Sequence, residues 1–140
     1  GKNFLLTVLR LLSEERELRV VSDQVGAPTC AAALARATAD LLLRHGAAAL
    51  GDHSGIYHAA GAGFTSWHGF ASEIARLEGC DAAARIRPIP SSEYPTAARR
   101  PANSRLSSAK LLAHFGVALP DWRESLATCF ATLRTRQTRR

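Results

Sequence analysis

The sequence predicts an α/β fold, mainly helical with a few short strands. Two observations carry that prediction. Apolar residues recur at three-to-four spacing over most of the chain, while only three short runs, near 18–21, 55–60 and 85–90, read as strands. Three short, well-separated strands are too few for a parallel sheet covered on both faces. The chain therefore reads as part of a longer α/β protein, with sheet partners for the run at 55–60 expected in a region before it.

The first helix is expected from Asn3 to Ser13, with Phe4, Leu5, Val8, Leu9 and Leu12 on one stripe. It is under way with no lead-in, as in a chain cut from something longer. Leu18-Arg19-Val20-Val21 follows as a strand, and Asp23 to Thr29 as an ordered loop. In that loop Gly26 permits positive φ, Pro28 fixes its own φ, and Thr29 is placed to cap the next helix. That helix is expected from Cys30 to Arg44, with Gly46 as its stop. Gly55-Ile56-Tyr57-His58-Ala59-Ala60 carries no formal charge and reads as a strand buried on both sides. Gly61-Ala62-Gly63 turns it into a helix capped by Thr65 or Ser66, striped by Trp67, Phe70, Ile74 and Leu77, and ended by Gly79. Arg85 to Pro90 reads as an edge strand, because proline removes ladder donors. Two helices close the chain, one from Ser107 to Gly116 and one opened by Asp121, with Glu124 three residues on.

The composition, 46% hydrophobic and 21% charged over 140 residues, excludes a disordered chain. No stretch of about 18 residues is free of polar interruption, so no membrane partner is expected. Gly1-Lys2-Asn3-Phe4 lacks a secretory layout, and a soluble, cytoplasmic protein is expected. The net charge of +6 owes four units to Arg134, Arg136, Arg139 and Arg140, in a C-terminus without acids or aromatics. Nucleic-acid binders interleave basic residues with exposed aromatics, so no nucleic-acid partner is expected. Cys30, Cys80 and Cys129 form no Cys-x-x-Cys, and the histidines form no His-Glu-x-x-His, so a metal site has no support. Cys129 falls on an apolar stripe and reads as a small buried hydrophobe.

Gly61-Ala62-Gly63-Phe64-Thr65-Ser66 has the position of a dinucleotide fingerprint, but Ser66 replaces the third glycine, and a turn needing two glycines is the reading adopted. No Gly-x-Ser-x-Gly elbow is present. Two loops have binding chemistry. Asp23 to Thr29 sets an amide and a hydroxyl on a backbone stiffened by Pro28. Arg99-Arg100-Pro101-Ala102-Asn103-Ser104 sets guanidinium groups, suited to bidentate phosphate contact, beside a rigid turn.

In these loops the sequence resembles a family. Asp23-Gln24-Val25-Gly26-Ala27-Pro28-Thr29 is similar to the Asp-Gln-x-Gly-x-Pro-Thr stretch of the dTDP-4-dehydrorhamnose reductases. Gly55 to Gly61, Thr65-Ser66-Trp67, Gly69-Phe70-Ala71, Ser92 to Thr96, Ala98 to Leu106 and Leu119 to Glu124 follow that family in order. The resemblance implies the C-terminal substrate domain of an extended short-chain dehydrogenase, with the Rossmann half missing. It implies one sugar-nucleotide-binding domain over residues 1–133 and a flexible basic tail at 134–140. The implied reaction is NADPH-dependent reduction of a dTDP-4-keto sugar to dTDP-L-rhamnose for surface polysaccharides. NADPH would be held by the missing half, and some relatives add Mg2+, for which this sequence offers no ligand set. The chain has no Tyr-x-x-x-Lys pair, its only lysines being Lys2 and Lys110, so alone it is expected to bind substrate without reducing it.

Carried over by position, Asn3 would lie near the diphosphate at a helix start, where N–H groups and the helix dipole favour an anion. Gln24 and Thr29 would line the nucleotide-sugar cleft, Arg100 would take the diphosphate, Asn103 would reach the ribose side, and Trp67 would flank the sugar. The dTDP-sugar is the partner implied, and a homodimer is compatible with the resemblance. A non-catalytic nucleotide-sugar-binding module is the alternative function.

Overall fold

Asn3 opens the first helix with extended backbone and a side-chain oxygen that accepts from the Leu6 N–H at 2.9 Å. It thereby satisfies one of the first-turn donors that any helix leaves unpaired. The computed structural model describes residues 3–98 and 100–138, so Lys2, Arg99, Arg139 and Arg140 lie outside the described residues. In chain order the elements are α1 (Phe4–Ser13), β1 (Leu18–Val21), β2 (Val25–Gly26), α2 (Ala31–Asp52), β3 (Thr65–Ser66), α3 (Trp67–Glu78), α4 (Ala82–Arg85), β4 (Ile86–Ile89), β5 (Asn103–Ser104), α5 (Ala109–Phe115) and α6 (Trp122–Thr138). They divide between two compact units, Gly1–Gly26 with Phe64–Ser104, and Ala27–Gly63 with Arg105–Arg140.

In the first unit β1 and β4 pair in parallel, Leu18 opposite Ile86 and Val21 opposite Ile89. Helix α3 packs against both strands and against α1. Val8, Leu12, Leu18, Val20, Val21, Ala71, Ile74, Ala75, Ile86 and Ile89 are all buried there, the apolar faces that the sequence periodicity marks. Pro88 is tolerated in β4 because that strand has one ladder neighbour among the described residues. Ser66 caps α3 by accepting from the Gly69 N–H at 3.0 Å, and Gly79 ends it in the left-handed conformation at φ 80°. A second sheet has the order β3-β2-β5, with β2 antiparallel to β3 and parallel to β5.

In the second unit Leu111, Phe115, Val117 and Leu119 form a buried cluster, against which Leu41, Leu50 and Tyr57 pack. Trp122, Leu126 and Phe130 bury the inner face of α6. Asp121 caps α6 by accepting from the Arg123 N–H at 2.8 Å, and Gly116 ends α5 at φ 63°.

Several expectations are corrected here. Residues 55–60 form no strand, and Ile56 is 83% exposed. Two of their backbone groups are met by side chains: the Ala60 N–H donates to Ser108 Oγ at 3.1 Å, and Lys110 Nζ donates to the Ile56 carbonyl at 3.2 Å. The second helix does break at Gly46, the stop expected from the sequence, with φ 65° and ψ 174°; a further helical run to Asp52, not expected, follows it. Thr29 does not cap that helix; Cys30 holds the N-cap position. The division drawn at residue 134 falls inside α6, which continues to Thr138 with the Arg134 guanidinium 5.1 Å from the Phe130 ring centroid.

Candidate functional site

The first unit brings together residues far apart in sequence. Val25 pairs with Ser66 on one side and Asn103 on the other, and its N–H donates to the Ala102 carbonyl at 2.8 Å. This two-residue pairing sets half-buried Gln24 at the start of β2, exposed Asn103 on β5, and Trp67 directly after β3. Arg100 is exposed, three residues before Asn103 on the segment leading into β5. Trp67 is 42% exposed, and its ring centroid lies 4.9 Å from that of Phe4, next to Asn3. Phe4 also stacks on Phe70 at 5.7 Å. Asn3, Gln24, Trp67, Arg100 and Asn103 thus all belong to one unit, around one small sheet and the helix starts beside it.

Two side chains fix the approach to β2. The Ser91 N–H donates to both Asp23 carboxylate oxygens at 3.0 Å, and the Ser91 hydroxyl donates to Oδ2 at 2.9 Å. The Ser91 backbone bond, with help from its hydroxyl, outweighs desolvation and holds the Asp23 carboxyl below its ordinary pKa. Arg19 meets Glu93 at 2.5 Å, tying β1 to the segment after β4. Gln24 follows Asp23 directly, so its backbone is held by this clasp. The Asn3 carboxamide oxygen is engaged by the Leu6 N–H, so the donor of that side chain is its amide NH2.

Thr29 belongs to the second unit. Its hydroxyl donates to the Ala27 carbonyl at 3.1 Å and accepts from the Gly61 N–H at 3.1 Å. Gly61 is needed there because a Cβ would stand 2.7 Å from the Pro28 carbonyl oxygen. Gly63 has φ 75°, and a Cβ on it would run into the Asp121 carboxylate and Trp122. The Ala62 N–H is taken by the Pro120 carbonyl at 3.0 Å. The glycine turn is therefore filled by the chain's own atoms, with the Gly61 and Ala62 N–H groups already engaged. It does not fit the pyrophosphate of NADPH.

Sequence reasoning missed Phe4 as a neighbour of Trp67, the Asp23–Ser91 clasp, and the meeting of Cys30 with Cys129. The first was hidden because Phe4 sits on the core stripe of α1. The others join residues too distant for any local spacing to mark. Among the described residues, no group of three or more metal-ligating side chains gathers, and no helix is long and apolar enough to cross a membrane.

Comparison with known proteins adds the family. Residues 1–135 match the family described as RmlD substrate binding domain. The chain is 49% identical to the dTDP-4-dehydrorhamnose reductase of Burkholderia thailandensis, over 95% of this chain and 47% of that protein. A solved dTDP-4-dehydrorhamnose reductase from Clostridium acetobutylicum superposes with a TM-score of 0.83 at 34% identity, covering 96% of this chain and 45% of that one. The reductase from Bacillus anthracis, solved in complex with NADP, gives 0.82 at 30% identity, covering 94% and 44%. The chain spans less than half the length of these relatives, and the part it matches is their C-terminal substrate-binding part. The match over residues 1–135 places the chain in the RmlD substrate binding domain family.

Proposed function

We propose that the chain is the sugar-nucleotide-binding part of a dTDP-4-dehydrorhamnose reductase, a cytoplasmic enzyme of surface-polysaccharide synthesis that reduces a dTDP-4-keto sugar with NADPH. The observation that carries this reading is the β3-β2-β5 sheet, which gathers Gln24, Trp67 and Asn103 with Arg100 on the adjoining segment. These are the groups a nucleoside-diphosphate sugar asks for. Arg100 supplies a planar, permanently charged fork for the diphosphate. Asn3 adds an uncharged donor at a helix start, where the dipole favours the same anion. Gln24 and Asn103 present amides to sugar and ribose hydroxyls, and Trp67 offers an exposed aromatic face.

The proton and hydride chemistry lies outside this chain in the proposal. Its lysines, Lys2 and Lys110, stand in no Tyr-x-x-x-Lys pair, and its glycine turn has no space for the cofactor's pyrophosphate. Alone it consumes no NADPH in the presence of the keto-sugar.

The test is a titration of dTDP into the isotope-labelled chain, followed by amide chemical shifts. Shifts concentrated at residues 24–26, 65–67 and 100–104 are expected. Saturable shifts confined to other segments would overturn the assignment.

A further inference from the structure

Cys30 and Cys129 lie 99 residues apart in the chain, yet their sulfur atoms are 3.0 Å apart within the second unit. Both are free thiols and both are half-buried, within reach of a small reagent. Cys30 holds the N-cap position of α2, at the positive end of the helix dipole, though its side chain makes no capping hydrogen bond there. Cys129 sits on α6, one residue before the buried Phe130, and approaches Cys30 from a separate element. We propose that Cys30 and Cys129 form a redox-active dithiol that exchanges with small disulfides, Cys30 as the attacking sulfur and Cys129 as the resolving one.

The division of roles follows from the surroundings. Burial works against ionising Cys30, but the hydrogen bond with Cys129, the N–H groups of Ala33 and Ala32, and the charge of Arg36 outweigh it and lower its pKa. For Cys129, burial, the bond with Cys30 and the Cys30 charge act together and push the thiol up to about 11. Either sulfur can donate in the contact between them, and the opposite shifts make Cys30 the one that gives up its proton first.

The chemistry balances without a metal or cofactor. The Cys30 thiolate attacks one sulfur of a disulfide RSSR, forming the mixed disulfide Cys30–S–S–R and releasing RS⁻. That thiolate takes the Cys129 proton and leaves as RSH. The Cys129 thiolate then attacks the Cys30 sulfur, closing the Cys30–Cys129 disulfide and releasing a second RS⁻, which takes a proton from water. Two protein thiols are oxidised by two electrons and one RSSR is reduced to two RSH. Excess thiol runs the sequence backwards. This inference concerns the second unit and is independent of the nucleotide-sugar reading.

The experiment exposes the full chain to glutathione disulfide at neutral pH, quenches by alkylation, and maps the products by mass spectrometry. Wild type is expected to lose two alkylatable thiols and yield a Cys30–Cys129 linked peptide, with Cys80 still alkylated. Cys129→Ser is expected to accumulate glutathione on Cys30. Cys30→Ser is expected to react at position 129 at least about tenfold more slowly than wild type loses its pair. Circular dichroism checks that both variants fold, and the wild-type map alone decides the pairing. A wild type that stops at the mixed disulfide, or in which Cys80 is modified as fast as Cys30, would overturn the proposal. So would Cys30→Ser reacting at Cys129 as fast as wild type.

Discussion

The hydroxyl of Thr29 accepts the Gly61 N–H at 3.1 Å, while the Pro28 carbonyl oxygen lies 2.7 Å from where a Gly61 Cβ would stand. The loop after β2 and the glycine turn are thus held together inside one unit by a side chain-to-backbone hydrogen bond and a close backbone approach. Gly61→Ala is expected to destabilise the chain by about 1–3 kcal/mol, the range for forcing a methyl into packed atoms. Thr29→Ala, which removes one hydrogen-bonding hydroxyl, is expected to cost about 0.5–1.5 kcal/mol. Urea unfolding measures both. A neutral Gly61→Ala would mean that the Pro28 carbonyl is free to move away.

The Asp23–Ser91 clasp makes a prediction about pH. Because the folded-state pKa of Asp23 is lowered, its contribution to stability is present above the ordinary carboxylate pKa, near 3.8, and is lost as pH falls through the folded value. Melting temperatures of wild type should therefore fall on acidification below about pH 4, and part of that fall should vanish in Asp23→Asn. The two acid limbs running parallel would show that Ser91 does not prefer the ionised carboxyl.

Phe4 and Trp67 meet at a centroid distance of 4.9 Å with planes inclined at 55°. A double-mutant cycle with Phe4→Ala and Trp67→Ala should return a coupling of about 0.5–1.5 kcal/mol. Trp67→Ala should also weaken dTDP-sugar binding more than dTDP binding, because its proposed place is at the sugar. Equal losses for the two ligands would assign Trp67 to packing alone.

These residues also show what the sequence discloses and what it withholds. The stripes of α1 and α3 were legible because Val8, Leu12 and Ile74 repeat with the helix period and are all buried. The caps at Ser66, Gly79 and Gly116 were legible because each answers a local backbone need. Strands β2, β3 and β5 were not, since two residues carry no alternation to read. The run Gly55 to Ala60 misled for the opposite reason. It has the composition of a buried strand, but Ile56 is exposed, and Ser108 Oγ and Lys110 Nζ bond two of its backbone groups where a neighbouring strand was expected. Asn3, Gln24, Trp67, Arg100 and Asn103 were singled out one by one, mostly through the family resemblance. Only the pairing of Val25 with Ser66 and Asn103 reveals that four of them surround one small sheet.

The claim that this sheet carries a nucleotide-sugar site is tested most directly by calorimetric titration of dTDP, with UDP as control, into wild type and Arg100→Ala. Saturable dTDP binding by wild type is expected, weakened about 10- to 150-fold by the substitution, as for the loss of a charged hydrogen bond worth about 1.5–3 kcal/mol. Wild type and Arg100→Ala binding dTDP equally well, or a folded wild type binding none, would contradict the account.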